Sequence, residues 1–224
     1  GEGEGEGANE AEEELAAATG DISKWWLRRA LEYAFEQTDR EVMHTGWLDG
    51  TTAVVVAVAR SFLLVANVGD SRAILCDESG AVTPLSSDHK PSRRDELQRI
   101  EDLGGFVLHL GVPRVNGILA VSRAIGDAEL KHLVPSEPEI RCIGRKNTQQ
   151  FVALASDGVW DVMTNEEVAA VIRREWNTEG KGARQVAMEA YIRGSFDNIC
   201  CMVVDLTATK EKRERERKGD KEGE

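Results

Sequence analysis

The chain has 224 residues, of which 41% are hydrophobic, and its 28 Lys and Arg residues stand against 40 Asp and Glu. This length fills one core well, whereas two domains would each be small, so a single domain is predicted. The formal net charge of −12 repels nucleic acid and anionic membranes, and neither is expected as a partner. A monomer is expected.

The charged residues are concentrated at the two ends. Residues 1–20 form an acidic low-complexity leader with seven Glu, and residues 208–224 form a charged tail of both signs. Both segments are too poor in apolar residues to fold alone. The globular domain is therefore predicted to span residues 21–207.

The four cysteines lack the paired spacing of metal knuckles, and two of them, Cys200 and Cys201, are adjacent. The sequence contains no signal-peptide pattern and no apolar run of the roughly 20 residues that would cross a bilayer. A reduced, intracellular protein, cytoplasmic or nuclear, is predicted.

The first predicted element is an amphipathic helix over residues 21–43, where apolar residues recur every three to four positions. Two β-branched runs, residues 51–59 and 61–69, predict a tight hairpin of buried strands. A short strand, a Glu-Ser-Gly turn and another strand follow, so the sheet is at least partly an antiparallel meander.

The middle of the chain is less regular. A helix is predicted at residues 92–103, since Pro91 and Ser92 precede it and two glycines follow it. A strand is predicted at residues 106–110. Residues 111–138 contain several Gly and Pro, and no regular structure is predicted there.

The last part of the chain returns to strands and helices. Residues 151–155 predict a strand, and the capping-box pattern from Thr164 to Glu167 predicts the start of a helix. Another helix is predicted at residues 182–193 and a final strand at 198–206. Consecutive hairpins mixed with helices favour an α+β fold, an antiparallel β-sandwich covered by helices, over a doubly wound parallel sheet.

Four carboxylates lie at the boundaries of predicted strands. Asp70 ends "VANVGD", Asp157 and Asp161 follow "FVALAS", and Asp197 opens the last strand. If these strands are neighbours, the carboxylates meet at one rim, where hard oxygen ligands without His or Cys select Mg²⁺ or Mn²⁺. The alternative is that each Asp only forms a turn or caps a helix.

Seven motifs carry a resemblance to a known family. They are "TTAVVV", "ANVGDSRAIL", "SSDHKPSRRDELQRIEDLGGFV", "RVNGILAVSRAIGD", "VPSEPEI", "FVALASDGVWDVMTNEEV" and "GSFDNI". In this order and spacing they resemble the metal-dependent protein phosphatases of type 2C, from about Ile22 to Leu206. The resemblance implies a β-sandwich with helices on both outer faces. It also implies hydrolysis of protein phosphoserine and phosphothreonine by a water activated by Mn²⁺ or Mg²⁺.

The resemblance assigns roles to the four carboxylates. Asp157 and Asp197 resemble ligands of the family's binuclear metal centre, and Asp70 resembles a ligand of an additional, weaker site that Asp157 and Asp161 would share. No catalytic residue is implied beyond these metal ligands. The residues expected to support the site from neighbouring loops are Gly158, Asn198, Arg123 and Asp127.

Other matched residues allow two interpretations. Arg72, Arg123 and Asp127 occupy family positions, but an Arg paired with an Asp is as able to brace a loop as to touch substrate. His89 is interpreted as a structural hydrogen-bonding residue rather than a catalytic one.

The chain departs from the family in one segment. The family's "DGHGG" strand, which supplies the metal-bridging Asp, and the preceding segment with the phosphate-binding Arg have no match here. The domain is therefore expected to be N-terminally truncated, with exposed sheet edges and little activity of its own. Two hypotheses follow: part of a working serine/threonine phosphatase, or a pseudophosphatase that serves as a binding or regulatory module.

Overall fold

The structure is a computed structural model that describes the backbone of residues 4–207 and the side chains of residues 22–109 and 111–207. The α-helices of this part are α1 (Glu4–His44), α2 (Arg94–Asp102), α3 (Asp157–Trp160), α4 (Asn165–Arg174) and α5 (Ala183–Ile192). Its strands are β1 (Gly50–Thr51), β2 (Ala53–Val58), β3 (Phe62–Val68), β4 (Arg72–Asp77), β5 (Val82–Pro84), β6 (Val107–Leu110), β7 (Val112–Val115), β8 (Ile125–Gly126), β9 (Glu139–Gly144), β10 (Gln149–Ala155) and β11 (Cys201–Asp205).

Two antiparallel sheets form the centre of the fold. One has the strand order β2-β3-β9 and the other β11-β10-β4-β5, while β1-β8 and β6-β7 form two short ribbons. The sheets pack face to face through apolar side chains, and Leu63, Val65, Leu75 and Val152 form the buried centre between them. The predicted antiparallel sandwich is confirmed.

Helices cover both outer faces. On the outer face of the β2-β3-β9 sheet, Phe35 of α1 is buried with Ala66 and Val68. On the outer face of the other sheet, α3, α4 and α5 bury apolar side chains, including Val168 and Ile172, against Phe151. The predicted capping box at the start of α4 is formed, with both reciprocal hydrogen bonds between Thr164 and Glu167 present.

The first helix begins earlier than predicted. The sequence predicted residues 21–43, whereas α1 spans Glu4–His44 and includes most of the acidic leader. The leader is rich in Ala and Glu, which are strong helix formers, and a helix satisfies its backbone hydrogen bonds within itself. Low hydrophobic content is therefore no obstacle to helix continuation. The predicted tail, residues 208–224, lies outside the described residues.

The prediction of no regular structure at residues 111–138 was wrong. This segment contains β7, β8 and a 3₁₀ turn at Ala128–Leu130, and β7 pairs with β6 as a hairpin. The strand β8 pairs over two positions only, Gly50 with Gly126 and Thr51 with Ile125. Two-residue pairing leaves no periodicity to detect in a sequence.

Two further differences concern strands. β9 was not predicted, because its sequence carries Glu139 and Arg141 among few apolar residues. The last strand begins at Cys201, so Asp197 lies in the loop before it rather than at its start.

One side of the sandwich is open. Within the described part of the chain, β2 and β11 each have an edge with no neighbouring strand. Apolar side chains on these edges are exposed: Val55 at 37%, Val58 at 43% and Met202 at 59%. None of the helices in the described part is both long and apolar enough to cross a membrane.

Candidate metal site at the sheet rim

The register of the four-stranded sheet brings three chain segments to one rim. Ala155, the last residue of β10, pairs with Arg72 at the start of β4 and with Cys201 at the start of β11. Asp70 and Asp157 each lie two residues from one of these strand ends. Because β10 lies between β4 and β11, the strand ends next to Asp70 and Asp157 lie at the same rim as the start of β11.

The four predicted carboxylates act on one another electrostatically. Burial raises the pKa of Asp157 above its usual range, and the negative charges of Asp70, Asp197 and Asp161 raise it further. Only Lys90 opposes these effects among the causes of this shift. Mutual repulsion of this kind attracts a cation, because a cation removes the cost of holding the ionised carboxylates together.

Asp157 is positioned by a sharp change from strand to helix. It is the first residue of the short helix α3, with one residue between it and the end of β10, and the indole N–H of Trp160 donates to the Ala155 carbonyl at 2.8 Å. The backbone N–H of Asp161 donates to the Asp157 carbonyl at 2.9 Å, which places the two carboxylates one helical turn apart.

The loop that carries Asp197 is held against this helix. Ser156 Oγ donates to the Asn198 carbonyl at 2.8 Å and accepts from the Cys200 N–H at 3.1 Å. A Cβ at Gly158 would lie 2.5 Å from the Asn198 carbonyl oxygen, so only glycine allows this approach. The sequence indicated Gly158 and Asn198 but gave no signal for Ser156.

Asp70 lies on a tight turn after β3. Gly69 adopts a φ of +93°, and a Cβ there would overlap the side chain of Thr52. Asp70 is 5% exposed, and its Oδ2 forms a short ion pair with Lys90 Nζ. One oxygen of the carboxylate is therefore engaged by a cation of the chain itself, a partner that sequence reasoning missed although "DHKP" contains it.

His89 stabilises this turn through hydrogen bonds to Gly69. Its backbone N–H donates to the Gly69 carbonyl at 3.0 Å, and its Nδ1 accepts from the Gly69 N–H at 3.1 Å. Burial, together with the charges of Arg123 and Arg93, lowers the pKa of His89 to about 4. The neutral ring is a hydrogen-bonding support for the turn.

Arg72 supports the same rim. Its Nε and Nη2 donate to the two oxygens of Asp88 at 2.9 and 2.7 Å, and its Nη1 donates to Asn165 Oδ1 at 2.8 Å. The guanidinium carbon also lies 5.0 Å from the centre of the Trp160 ring. Arg72 thus ties the start of β4 to α3, to α4 and to the loop before α2.

Arg123 and Asp127 have partners away from the four carboxylates. Arg123 Nη2 lies 2.7 Å from Glu96 Oε1, and its Nη1 donates to the Glu137 carbonyl at 3.0 Å. Asp127 has a φ of +54°, and burial is the main cause that raises its pKa, with Asp49 contributing. Arg123 therefore braces the segment that follows β7.

The site fits a divalent cation only in part. Carboxylates without His or Cys are the ligand type that Mg²⁺ and Mn²⁺ prefer. Across residues 22–109 and 111–207, however, no three His, Cys, Asp or Glu side chains are grouped so that they could hold a metal ion together. The carboxylates around Asp157 repel one another, but the described residues do not form a three-ligand group. The metal site is therefore incomplete in this part of the chain.

The open side of the sandwich leads to this rim. An apolar cavity of about 410 Å³ lies between β2 and β11, and Val54, Val56, Leu154 and Val204 are among its lining residues. Ser156, the residue before Asp157, also lines it.

Comparisons with known proteins agree with the motifs. Residues 8–199 match the family model described as Protein phosphatase 2C. The chain is 48% identical over 179 residues to "Probable protein phosphatase 2C 59" of Arabidopsis thaliana, covering 78% of this chain and 57% of that protein. It is 47% identical over 178 residues to "Probable protein phosphatase 2C 45" of Oryza sativa subsp. japonica, covering 78% and 62%.

A solved structure of a type 2C phosphatase is also similar to this chain. The crystal structure of serine-threonine phosphatase 2C from Toxoplasma gondii superposes with a TM-score of 0.71 at 25% identity, covering 80% of this chain and 67% of that chain. Against the two plant proteins, this chain spans only about three fifths of the relative's length.

Proposed function

The chain belongs to the protein phosphatase 2C family, and we propose that the protein it represents hydrolyses phosphoserine and phosphothreonine in other proteins. We propose Mn²⁺ or Mg²⁺ as its cofactor, since the family is metal-dependent and the rim carries only carboxylate ligands. Bound divalent ions would supply a water of lowered pKa as the nucleophile.

The observation that carries the proposal is the electrostatic cluster around Asp157. Asp70, Asp161 and Asp197 all raise the pKa of its carboxyl, so three further acids lie near enough to act on Asp157 electrostatically, and this supports the proposal. Nearby like charges disfavour the ionised form of a carboxyl, and a bound cation would relieve that repulsion. In the proposed site, Asp157 and Asp197 would hold the metals, and Asp70 and Asp161 would serve an additional site with Asp157.

The chain's own residues prepare this rim in three ways. His89 and Gly69 fix the turn that presents Asp70, and Ser156 fixes the loop that presents Asp197. Lys90 balances part of the negative charge by its ion pair with Asp70.

We further propose that this chain alone turns over little substrate. The "DGHGG" motif is absent from the sequence, and the described carboxylates do not form a three-ligand group. The lack of a three-ligand group among the described carboxylates favours the second candidate, a pseudophosphatase that binds phosphoproteins without hydrolysing them. A reducing, intracellular location is also proposed, since Cys76, Cys142, Cys200 and Cys201 are all free thiols.

The two candidates are separated by completing the site. A segment with a DGHGG strand is joined to the N-terminus, and Mn²⁺-dependent phosphate release from a phosphothreonine peptide is measured. A phosphatase gains activity that Asp157→Asn abolishes and that Asp102→Asn, on the exposed end of α2, leaves unchanged. A folded fusion that binds Mn²⁺ by calorimetry but releases no phosphate supports the pseudophosphatase instead.

A further inference from the structure

A second cavity, which is polar, lies beside the carboxylate rim. It is open to solvent, has a volume of about 580 Å³, and lies between the start of β4, the loop before α2, and β9. Four cationic side chains line it, against the single carboxylate of Asp88; they are Arg72, Lys90, Arg93 and Arg141. The side chains that line this cavity are therefore mainly cationic, although the chain has a net charge of −12.

Three of the four cations have carboxylate partners. Arg72 pairs with Asp88, Lys90 with Asp70, and Arg93 with Asp95 and Glu139. Arg72 uses three of its five N–H groups in its hydrogen bonds to Asp88 and Asn165, which leaves two for a ligand.

Of the four cations, Arg141 alone has no counterion among the residues that the structure describes. It is exposed, and its one hydrogen bond, from Nη1 to the Pro84 carbonyl, is 3.4 Å long. No carboxylate in the described part of the chain lies within ion-pair distance of it. Arg141 pairs with Val65 in the β3–β9 register, and Val65 is buried between the sheets. Paired residues point to the same face, so the guanidinium projects from the inner face at the edge strand β9.

The donors of the cavity suit an anion with several oxygens. A guanidinium group binds phosphate or carboxylate through two parallel hydrogen bonds, and such charge-assisted bonds are stronger than neutral ones. The exposed residues Ser87 and Ser92 add hydroxyl groups to the lining. A phosphate group, with three terminal oxygens and close to two negative charges, can use donors on several sides of the cavity at once.

We propose that this cavity is a phosphate-binding subsite centred on Arg141, distinct from the carboxylate rim. Resting on the proposed phosphatase function, the subsite holds a phosphate group of a phosphorylated protein substrate other than the one that is hydrolysed. Lys90 links the two places, because it lines the cavity and pairs with Asp70 at the rim.

The test measures binding in metal-free buffer, so that it does not depend on turnover. The full chain is titrated by calorimetry with inorganic phosphate and, separately, with peptides that carry one or two phosphothreonines. Arg141→Gln is expected to weaken inorganic phosphate binding about tenfold, the loss of one charge-assisted bond. Arg94→Gln, an exposed Arg outside the cavity lining, is the matched control and should bind as the unaltered chain does.

The peptide titrations identify the source of the phosphate. If a substrate phosphate is the ligand, the doubly phosphorylated peptide binds more tightly than inorganic phosphate and loses this advantage in Arg141→Gln. Equal binding of the peptide and the free ion, both weakened in Arg141→Gln, keeps the subsite but assigns it to free phosphate and removes the substrate role.

Other outcomes overturn the proposal. One is that phosphate binding does not saturate. Another is that Arg141→Gln binds phosphate as well as the unaltered chain does. A third is that a glutamate-rich peptide binds more tightly than phosphate. Ser92→Asp, which places a negative charge in the cavity without altering β9, should abolish phosphate binding if Arg141→Gln fails to fold. Failure of the DGHGG fusion to release phosphate would leave these binding results unaffected, so the two proposals fail separately.

Discussion

The Nδ1 atom of His89 accepts a hydrogen bond from the backbone N–H of Gly69 at 3.1 Å, and this bond needs an unprotonated nitrogen. Burial, with the nearby Arg123 and Arg93, lowers the pKa of His89 from 6.5 to about 4. The fold therefore takes up the His89 proton only at a lower pH than the unfolded chain does.

This relationship predicts the pH dependence of stability. Because the folded pKa lies below the unfolded one, the stabilisation is complete above pH 6.5 and is lost as the pH falls towards 4. The loss amounts to about 3 kcal/mol. Urea unfolding between pH 7 and 4 measures it, and His89→Asn should flatten the slope in this range. The same slope in the variant would show that another group is responsible.

Glu96 is predicted to be essential for stability. It is 1% exposed, and burial opposes its charge, but hydrogen bonds from Arg123 and Arg99 lower its pKa from 4.5 to about 2. Glu96→Gln leaves these guanidinium groups uncompensated and should lower the free energy of unfolding by about 3–5 kcal/mol. Glu101→Gln, on the exposed face of the same helix, is the control.

The contribution of Glu96 to stability also depends on pH, over a lower pH range than that of His89. Since the folded pKa is below the unfolded value, its contribution is complete above pH 4.5 and is lost as the pH falls towards 2. Acid unfolding of Glu96→Gln should lack this component. An equal effect of Glu101→Gln on stability would contradict the assignment to the buried network.

Gly158→Ala is predicted to displace the loop that carries Asp197. The added Cβ would lie 2.5 Å from the Asn198 carbonyl oxygen, which must move. We expect a loss of about 1–3 kcal/mol in unfolding free energy, as for other overpacked sites. Weaker Mn²⁺ binding by calorimetry should accompany it.

Gly144→Ala is the matched control, because a Cβ there would meet no atom within 4 Å and its φ is not positive. It should leave stability and Mn²⁺ binding nearly unchanged. If both substitutions had equal effects, the contact between Gly158 and Asn198 would not be what positions Asp197.

The open edges of the sandwich are predicted to promote aggregation. Unpaired strand edges with exposed apolar side chains pair readily with other chains. Val55→Lys on β2 and Met202→Lys on β11 should therefore reduce light scattering during heating. Ile118→Lys, which replaces a side chain 58% exposed on a loop, is the control and should have no comparable effect. Unaltered scattering in the edge variants would mean that aggregation starts elsewhere.

Much of the fold was determined by local sequence pattern. The hairpin β2-β3 has long β-branched runs, and α4 has a capping box, so both were predicted without tertiary information. β8 and β9 were not, since a two-residue pairing and a strand with charged residues have no local signature. Their existence depends on the neighbours they pair with, β1 and β3.

The candidate site divides in the same way. The sequence alone determined that Asp70, Asp157, Asp161 and Asp197 are candidate ligands, through motifs that resemble a family. Only the tertiary structure decided that they act on Asp157 together, because strand order and register bring β4, β10 and β11 to one rim.

Tertiary structure also decided which charged side chains lie near the rim. Lys90 pairs with Asp70, which lies 20 positions earlier in the chain. Arg141, from a later segment, lines the same cavity as Lys90. Charge complementarity between distant segments is set by packing, and no periodicity or spacing in the sequence encodes it. The sequence thus determined which chemical groups are present, and packing determined which of them meet.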